Sequence, residues 1–552
     1  MVIKKIDGFK LQVMFKSAAE KLEENKDEVN SLNVFPVPDG DTGTNMLLTM
    51  KSALKQALVI EKNDASLVAQ AASQGSLMGA RGNSGVILSQ LFRGFAAGIG
   101  EKNIVDSKTF ALALKSASDT AYKAVMKPTE GTILTVARKC GEFAMSNSGK
   151  YNDLSIFLEE IIKYGNKILD KTPDMLPVLK QAGVVDAGGK GLMYLFIGMH
   201  SALTDENRAL VIITKESEEL AEPIDIKKTR PEIDTDNIKF GYCTEFMINT
   251  GYKNVEAFRD DISVFGDSLL VVGGEGLIKV HIHTNNPGQV LERALKLGDL
   301  SDIKIDNMRY QHEEILLKDE LIEMSKQNNN DNEKKEYSLV AISAGEGINA
   351  LFKDLNVDVI VPGGQTMNPS TEDILSAIES TTGNNVIVLP NNSNIILAAE
   401  QAKLLSKRNI SVIPTKSIPQ GLAALIALDE EVGIEENIQK MNESLENVST
   451  GQVTFAVRDT EFNENSIKKD DIIGLSDKEI LSSGNNITDV SLDLLKKLIN
   501  EDTSIITIIY GNDVSVEDAE NLAEKVTEKY NDIDIELVYG GQPLYFYIFA
   551  VE

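Results

Sequence analysis

The 552-residue sequence has no tryptophan, two cysteines and four histidines, and aromatic residues make up only 6% of it. Two cysteines allow at most one disulfide, which excludes a scaffold held together by disulfides. No apolar run approaches the roughly 18 residues that a membrane-spanning helix needs. Residues 1–10 also lack the apolar stretch of a signal peptide. We therefore predict a soluble, cytoplasmic protein with no integral membrane segment.

Basic residues are also scarce, with 55 Lys and Arg against 84 Asp and Glu, which gives a net charge of −29. This balance argues against a nucleic-acid-binding protein and against a surface for anionic membranes. It does not exclude an anionic nucleotide as a substrate, because such a site needs only local donors or a metal ion. A hydrophobic fraction of 42% is enough for several cores, and the length suggests three or four domains.

The first domain, residues 1–202, is predicted to be helical, because apolar residues recur there at spacings of three and four. Ser107 is the expected N-cap of one of these helices. The clearest helices are predicted over Phe9–Leu32, Ser107–Met126, Ile133–Met145 and Leu154–Leu169.

Three further segments follow from changes in composition. Residues 203–239 are charged and contain proline, which predicts a linker, and residues 240–324 carry short β-rich segments around one helix, which predicts an α+β domain. The polar run at 325–336 predicts a flexible linker. Residues 337–552 alternate strands and helices and are predicted to form an α/β domain of two lobes.

The segment NVFPVPDGDTGTNM, at Asn33–Met46, carries the most chemistry. Asp39 and Asp41 flank Gly40, so both carboxylates can face a hard cation, which prefers oxygen ligands. The small residues that follow would let backbone N–H groups approach phosphates at the start of the next helix. The alternative is a polar turn, since Asp-Gly is a common turn dipeptide. The length of the motif favours a metal and phosphate site.

Three more glycine-containing loops occur in the same domain: GSLMGARGNSG at Gly75–Gly85, KPTEGTILT at Lys127–Thr135 and VVDAGGKG at Val184–Gly191. None of them is a Walker loop, since the chain has no GxxxxGK[ST] motif. Each alone could be a turn between helices. Together with the first loop, they indicate a nucleotide pocket.

The middle domain holds three residues of the rare types: Cys243, His281 and His283. Residues two apart on a strand point to the same face, so the two histidines can share one ion or one substrate group. A cysteine with two histidines suits zinc with an open fourth position. The alternative is a pair of structural histidines near an unrelated thiol. We predict a metal or catalytic role.

The first domain resembles the ATP-binding subunit of dihydroxyacetone kinase, an eight-helix barrel that holds ATP through magnesium ions chelated by aspartates. The motifs NVFPVPDGDTGTNM and GARGNSGVILSQ carry this resemblance. The arrangement of the whole chain resembles the ATP-binding component of bacterial fatty acid kinase. This resemblance covers essentially all of the sequence.

The resemblance implies that Asp39 and Asp41 are the magnesium ligands and catalytic residues. Dihydroxyacetone kinases place a third Asp just upstream, where the nearest residue here is Asn33, with one extra residue between. The resemblance also implies that phosphates meet the first two loops and that the nucleoside meets the last two. The expected nucleotide-binding residues are Asn33, Thr44, Asn45, Gly82, Asn83, Ser84, Thr132, Asp186 and Gly188. For the middle domain it implies a Cys-His-His cluster, with His281 and His283 as further catalytic residues.

The last domain resembles the DegV fold of fatty-acid-carrying partner proteins. This resemblance is carried by the loops SAGEG, GGQTMNPST, LPNNSN and PQGLAAL, which follow strands, where open α/β sheets place ligands. The domain either keeps a lipid pocket or serves as a docking or dimer module.

These resemblances together imply a fatty acid kinase that uses ATP and Mg²⁺, with zinc as a further metal of the middle domain. The γ-phosphate would pass to the carboxylate of a fatty acid presented by a DegV-type carrier protein, giving an acyl phosphate for phospholipid synthesis. We expect a homodimer. The alternatives are a subunit of a kinase for small hydroxyl substrates such as dihydroxyacetone, and a nucleotide-sensing regulatory scaffold without catalysis.

Overall fold

The computed structural model describes residues 2–33, 40–125, 128–204, 240, 242–252, 254–274, 277–307, 335–364, 367–462, 465–476 and 479–552. It therefore includes Gly40 and Asp41 of the first glycine-containing loop, while Asp39 lies outside the described residues. The chain divides into two compact units, Met1–Ala221 with Lys334–Glu552 and, separately, Glu222–Glu333. The predicted linkers at 203–239 and 325–336 lie almost entirely outside the described residues, so these domain boundaries stay predictions.

The N-terminal domain is all-α, as predicted. Its helices are α1 (Gly8–Glu24), α2 (Lys26–Ser31), α3 (Thr42–Leu58), α4 (Ala65–Met78), α5 (Gly82–Ile99), α6 (Ser107–Ala124), α7 (Ile133–Asn147), α8 (Leu154–Leu169), α9 (Thr172–Met175), α10 (Pro177–Ala182) and α11 (Ala187–Thr204). The predicted helix Phe9–Leu32 is broken at Asn25 into α1 and α2. The expectation that Ser107 caps α6 is wrong, because the Asp106 carboxylate accepts the hydrogen bond from the Thr109 N–H and takes the N-cap position.

Eight of these helices pack side by side in a closed ring, in the order α1, α3, α4, α5, α6, α7, α8, α11 and back to α1. Consecutive helices joined by short loops run antiparallel. The inside of the ring is apolar and includes the edge-to-face pairs Phe15–Phe92 and Phe95–Phe110. A cavity of about 50 Å³ among these apolar side chains remains unfilled. The ring confirms the predicted helical barrel.

The middle domain is an α+β fold, as predicted. Its elements are β1 (Tyr242–Asn249), α12 (Val255–Ile262), β2 (Gly266–Gly274), β3 (Leu277–Thr284), α13 (Pro287–Leu295) and β4 (Asp299–Asn307). The strands form an antiparallel sheet in the order β2-β3-β1-β4. Strand β4 was not predicted. The two helices cover one face, where Phe258 and Val290 join the core of the sheet.

The first lobe of the C-terminal domain is a parallel sheet in the order β6-β5-β7-β8. Buried apolar strands alternate with helices, as the βαβ pattern predicts. The elements are β5 (Tyr337–Ser343), α14 (Glu346–Asp354), β6 (Val359–Pro362), α15 (Thr371–Ser380), β7 (Asn385–Leu389), α16 (Ile396–Leu405), β8 (Asn409–Val412), α17 (Ile418–Ile426) and α18 (Ile434–Ser444).

The second lobe is a mixed sheet in the order β13-β12-β9-β16-β14-β15, in which only β14 and β15 pair in parallel. Its elements are β9 (Ser449–Phe455), the hairpin β10 (Thr460–Phe462) and β11 (Asn465–Ile467), β12 (Ile472–Ser476), β13 (Glu479–Gly484), α19 (Ile487–Leu498), β14 (Ile505–Tyr510), α20 (Val516–Lys529), β15 (Asp534–Tyr539) and β16 (Tyr547–Val551). The prediction of an α/β fold for the C-terminal domain is confirmed, and the domain contains two separate sheets.

The helical ring and the first lobe share one apolar cluster. Ala80 and Val86, at the start of α5, are buried in the same cluster as Ile342 of β5 and Ile374 of α15. This packing explains why the two ends of the chain form one compact unit, and it places the lobe beside the second glycine-containing loop.

Among the helices in the described part of the chain, none is both long enough and apolar enough to cross a bilayer.

The ring depends on close helix contacts at glycines, and we predict that filling one of them destabilises it. A Cβ atom at Gly198 of α11 would lie 2.5 Å from Ala18 Cα of α1, whereas a Cβ at Gly149 would have no atom within 4 Å. We expect Gly198→Ala to cost about 1–3 kcal/mol, because the two backbones must separate. Gly149→Ala is the matched control and should change stability by no more than about 0.5 kcal/mol. Urea unfolding followed by circular dichroism checks this, and equal midpoints would contradict the close packing.

Candidate functional site

The start of helix α3 is capped by a residue outside the predicted motif. The Asn30 Oδ1 atom accepts hydrogen bonds from the backbone N–H groups of Gly43 (2.8 Å) and Thr44 (3.2 Å), and its Nδ2 atom donates to Thr44 Oγ1 at 3.1 Å. Asp41 occupies the N-cap position, yet its side chain makes no capping hydrogen bond. The Asp41 carboxylate is therefore not needed to cap its own helix.

The first two glycine-containing loops meet at Thr42. Its hydroxyl donates to Asn33 Oδ1 at 2.8 Å, and the Ser84 hydroxyl approaches Thr42 Oγ1 at 3.5 Å. Asn33 and Ser84, both predicted to bind nucleotide, are thus brought together although they lie far apart in the sequence.

The second loop requires glycine at position 82. Its φ of +54° is a left-handed conformation that side chains rarely adopt, and a Cβ there would lie 2.5 Å from Asn45 Nδ2. Asn45 itself is buried in the first turn of α3. The starts of α3 and α5 are therefore side by side. Asn83 is directed elsewhere, since its Nδ2 atom donates to Asn394 Oδ1 of the C-terminal domain at 3.2 Å.

The third and fourth loops meet at Asp186. Its Oδ2 atom accepts a hydrogen bond from the Gly189 N–H at 2.6 Å, and its carboxylate also accepts one from the Ile133 N–H. Gly188 lies against the same residue, because a Cβ there would be 3.1 Å from Ile133 Cβ. Thr132, directly before α7, donates its hydroxyl to the Thr129 carbonyl at 2.8 Å. One carboxylate thus ties together the starts of α7 and α11.

Burial raises the pKa of Asp186 to about 6, and the hydrogen bonds from Gly189 and Ile133 offset only part of this rise. A fraction of the residue surface remains exposed, while the carboxyl group itself is enclosed by protein. Keeping the Asp186 carboxylate ionised in the folded protein is therefore unfavourable, because the buried charge loses its solvation by water.

All four loops lie at one end of the ring. A Cβ at Gly191 of α11 would lie 2.7 Å from Met46 Sδ of α3, so these two helix starts are also neighbours. Helices α3, α5, α7 and α11 consequently begin at the same end. Each helix N-terminus carries a partial positive charge and unpaired N–H groups. This end can attract a polyanion despite the net charge of −29.

The C-terminal domain covers part of this end, which the sequence did not predict. Arg81, before α5, donates to the Asn368 carbonyl at 2.8 Å, and its guanidinium lies 3.5 Å from the Asp373 carboxylate. The Thr371 N–H donates to the Ala80 carbonyl at 3.1 Å. The sequence does contain one sign of a functional loop here, because GGQTMNPST is a polar loop at the carboxyl end of a parallel strand. Nothing in the sequence shows which surface that loop contacts.

Asn368 reaches the predicted metal ligand itself. Its Nδ2 atom donates to Asp41 Oδ2, while its Oδ1 atom is buried and finds no hydrogen-bond partner in the described part of the chain. A carboxylate with an oriented oxygen beside an unsatisfied acceptor suits a hydrated hard cation. Among the residues that the structure describes, no cluster of three or more His, Cys, Asp and Glu is arranged to hold a metal. Asp39, the second predicted ligand, lies outside them.

In the middle domain, the sheet register brings the predicted zinc ligands to neighbouring positions. Cys243 of β1 is the register partner of His283 of β3, and the Glu245 position is the partner of His281. Directly opposite positions share a face of the sheet. The same row extends to Asp306 of β4 and Asp267 of β2, which the sequence motifs did not indicate. The zinc site stays a prediction.

Family models match each of the three domains, and two relatives match the chain over its full length. Residues 36–201 match the DAK2 domain, residues 239–315 match the middle domain of the FakA-like fatty acid kinase proteins, and residues 338–552 match their C-terminal domain. Protein YloV of Bacillus subtilis (strain 168) is 43% identical over 558 residues, covering 100% of both chains. An uncharacterized protein of Staphylococcus aureus (strain USA300) is also 43% identical, over 556 residues and 100% of both chains.

Two solved structures align with the same share of the chain at low similarity. A DegV family protein of Corynebacterium glutamicum is 14% identical and aligns with 39% of this chain and 98% of its own, with a TM-score of 0.30. The fatty acid kinase (Fak) B3 protein of Streptococcus pneumoniae, solved with linoleic acid, is 13% identical over 39% of this chain and 99% of its own, with a TM-score of 0.28. At these TM-scores neither alignment supports a conclusion about function.

The raised pKa of Asp186 predicts a pH-dependent effect of its substitution. Because the folded-state pKa of about 6 exceeds the unfolded value of about 3.9, Asp186 favours the folded state most when it is protonated. This contribution is present below about pH 4 and is lost as the pH rises through 6. We therefore expect Asp186→Asn to raise the melting temperature relative to wild type at pH 7–8, and to lose this advantage near pH 4.

Asp106 is the control, because its pKa is shifted in the opposite direction to that of Asp186. The hydrogen bond from the Thr109 N–H lowers the pKa of Asp106, so its charged form stabilises the fold at neutral pH. Asp106→Asn should lower the melting temperature at pH 7, and the loss should shrink on acidification. Thermal melts of both variants between pH 4 and pH 8 test this. A parallel pH dependence of the two variants would contradict the environment described for Asp186.

Proposed function

Because this chain belongs to the FakA-like fatty acid kinase family, we propose that it is the ATP-using subunit of a fatty acid kinase. The observation that carries the proposal is the meeting of four helix starts at one end of the ring, with Asp41 at the first of them. Such an end suits a triphosphate, because several N–H groups and positive dipole ends converge there.

In this proposal Asp41, together with Asp39, holds Mg²⁺, which when bound neutralises charge on the phosphates. The chain itself binds and orients the nucleotide. The glycines at the starts of α5 and α11 let these helix ends lie close to their neighbours, since side chains there would collide with neighbouring helices. This close packing brings several positive helix ends near the phosphates. Thr132 and Gly188 line the nucleoside side.

The acceptor is the carboxylate of a fatty acid. A carboxylate oxygen forms a bond to the γ-phosphorus while the bond between that phosphorus and the β,γ-bridging oxygen breaks, which gives an acyl phosphate and ADP. The acceptor is already ionised at neutral pH, so this transfer needs no strong general base. The work left to the protein is positioning and charge stabilisation, and the helix starts supply both.

We propose that a DegV-type carrier protein presents the fatty acid. The support is the family membership of the middle and C-terminal domains. A free fatty acid would otherwise have to bring its apolar chain to a polar site made of helix ends and loops. The acyl phosphate would then enter phospholipid synthesis.

Transfer of label from γ-labelled ATP tests the activity. The full-length chain is incubated with Mg²⁺ and oleate, with and without a DegV-type carrier, and the labelled product is analysed. We expect acyl phosphate only when the carrier is present. Label passing to dihydroxyacetone instead would support the hydroxyl-kinase alternative. Nucleotide binding without transfer to any carrier-bound fatty acid would support the regulatory scaffold.

We predict that Asp39→Ala and Asp41→Ala abolish Mg²⁺-dependent binding of ATP, because each removes a charged oxygen ligand. The fold should persist, since Asn30, and not Asp41, caps α3. Asp27→Ala is the matched control, because the Asp27 side chain is 92% exposed in the neighbouring helix α2. Isothermal titration calorimetry with and without Mg²⁺ measures the effect. Wild-type affinity in both Asp39 and Asp41 variants would overturn the metal assignment.

We propose that Cys243, His281 and His283 bind zinc, and we expect about one zinc per chain. Cys243→Ser should lose this zinc while nucleotide binding in the helical domain is retained. Cys140→Ser is the control, since burial in the helical core raises the pKa of the Cys140 thiol to about 12 and makes it a poor ligand. Elemental analysis decides the outcome. Zinc far below one equivalent, unchanged in Cys243→Ser, would leave these residues without a metal role.

A further inference from the structure

Asn368 of the C-terminal domain touches both of the first two glycine-containing loops. It lies between β6 and α15 and is only 3% exposed. Its Nδ2 atom donates to Asp41 Oδ2, and its backbone carbonyl accepts from Arg81. A Cβ at Gly82 would lie 3.5 Å from Asn368 Nδ2, so the amide also lies over the start of α5.

The orientation of this amide follows from chemistry. A carboxylate only accepts hydrogen bonds, so the donor end of Asn368 must face Asp41 and the carbonyl end must face away. That carbonyl oxygen, Oδ1, is buried and has no partner among the residues that the structure describes. Leaving a buried acceptor unsatisfied is unfavourable, and most such groups in folded proteins are paired with protein, water or ligand. A ligand bound at this site can supply the donor that the described residues do not.

The loop that carries Asn368 is firmly held, so its position is not accidental. Ser370 and Asp373 form a capping box at the start of α15, with both reciprocal hydrogen bonds present. Ser370 also pairs with Arg81 in an isolated β-bridge, and the Thr371 N–H donates to the Ala80 carbonyl. These contacts fix the chain directly after Asn368 against the start of α5.

We propose that Asn368 is a positioning residue of the metal and nucleotide site, contributed by the C-terminal domain. Its Nδ2 atom holds Asp41 Oδ2 and so fixes the orientation of the Asp41 carboxylate towards the divalent cation. Its Oδ1 atom accepts a hydrogen bond from a water molecule in the shell of that cation. This inference rests on the proposed function, since it assumes that Asp41 binds Mg²⁺. It makes the C-terminal domain a part of the ATP site.

Removing a residue that orients a metal ligand typically weakens metal affinity or activity by about 10–100-fold. We expect Asn368→Ala in the full-length chain to raise the Mg²⁺ concentration for half-maximal binding of a fluorescent ATP analogue by about that factor. Saturating Mg²⁺ should restore binding, because Asp41 is still present. Asn368→Leu keeps the branched shape of the side chain and removes both polar atoms, so it should show the same shift even if the cavity left by alanine disturbs folding.

Two control variants separate this role from general stability. Met367→Ala changes the adjacent side chain, which is 75% exposed, and should leave the Mg²⁺ midpoint unchanged. Asn437→Ala removes another buried amide of the same domain, one that is hydrogen-bonded to the backbone of Asp429. It should lower the melting temperature without moving the Mg²⁺ midpoint.

The results distinguish this inference from the proposed function. If Asp41→Ala abolishes Mg²⁺-dependent binding while both Asn368 variants keep the wild-type midpoint, the positioning role is wrong and the proposed function stands. If the wild-type chain shows no Mg²⁺-dependent nucleotide binding, the proposed function itself fails. If Asn437→Ala shifts the Mg²⁺ midpoint as much as Asn368→Ala does, the shift reflects a general loss of stability. That result would also overturn the inference.

Discussion

The direction of the helices around the ring is the constraint on which the candidate site depends. Contacts between their first turns show that α3, α5, α7 and α11 all begin at one end of the ring. The glycines at these starts allow the close approach of helix to helix that brings the four loops together. The same close packing gathers the positive ends of four helix dipoles at one end of the ring. One packing requirement thus produces both the ring and a place for phosphates.

Local charge matters more at this end than the charge of the whole chain. The net charge of −29 would repel a nucleotide at long range, but salt screens that repulsion within about 10 Å. The helix starts act at hydrogen-bond distance, where screening is weak. The acidic side chains at this end are themselves engaged: Asp186 with the N–H groups of Gly189 and Ile133, and Asp41 with the amide of Asn368.

The local structure could be read from the sequence, and the long-range contacts could not. Amphipathic spacing predicted α8 at its observed bounds, and the glycine-containing loops were expected at the starts of helices, where they lie. The prediction for Ser107 failed because two adjacent polar residues competed for one cap, and Asp106 has the better geometry. The contact between Asp41 and Asn368 spans 327 positions. It depends on apolar packing of Val86 against the C-terminal lobe, which no local pattern encodes.

The central claim is that a nucleotide binds at the end of the ring that the C-terminal domain covers. Hydrogen–deuterium exchange on the full-length chain, with and without Mg²⁺ and a non-hydrolysable ATP analogue, tests it most directly. We predict slower exchange in residues 42–45 and 82–85 and, at the same time, in residues 367–371 of the C-terminal domain. Protection confined to the helical domain would contradict a site shared by both domains, and protection at neither loop would contradict the nucleotide site itself.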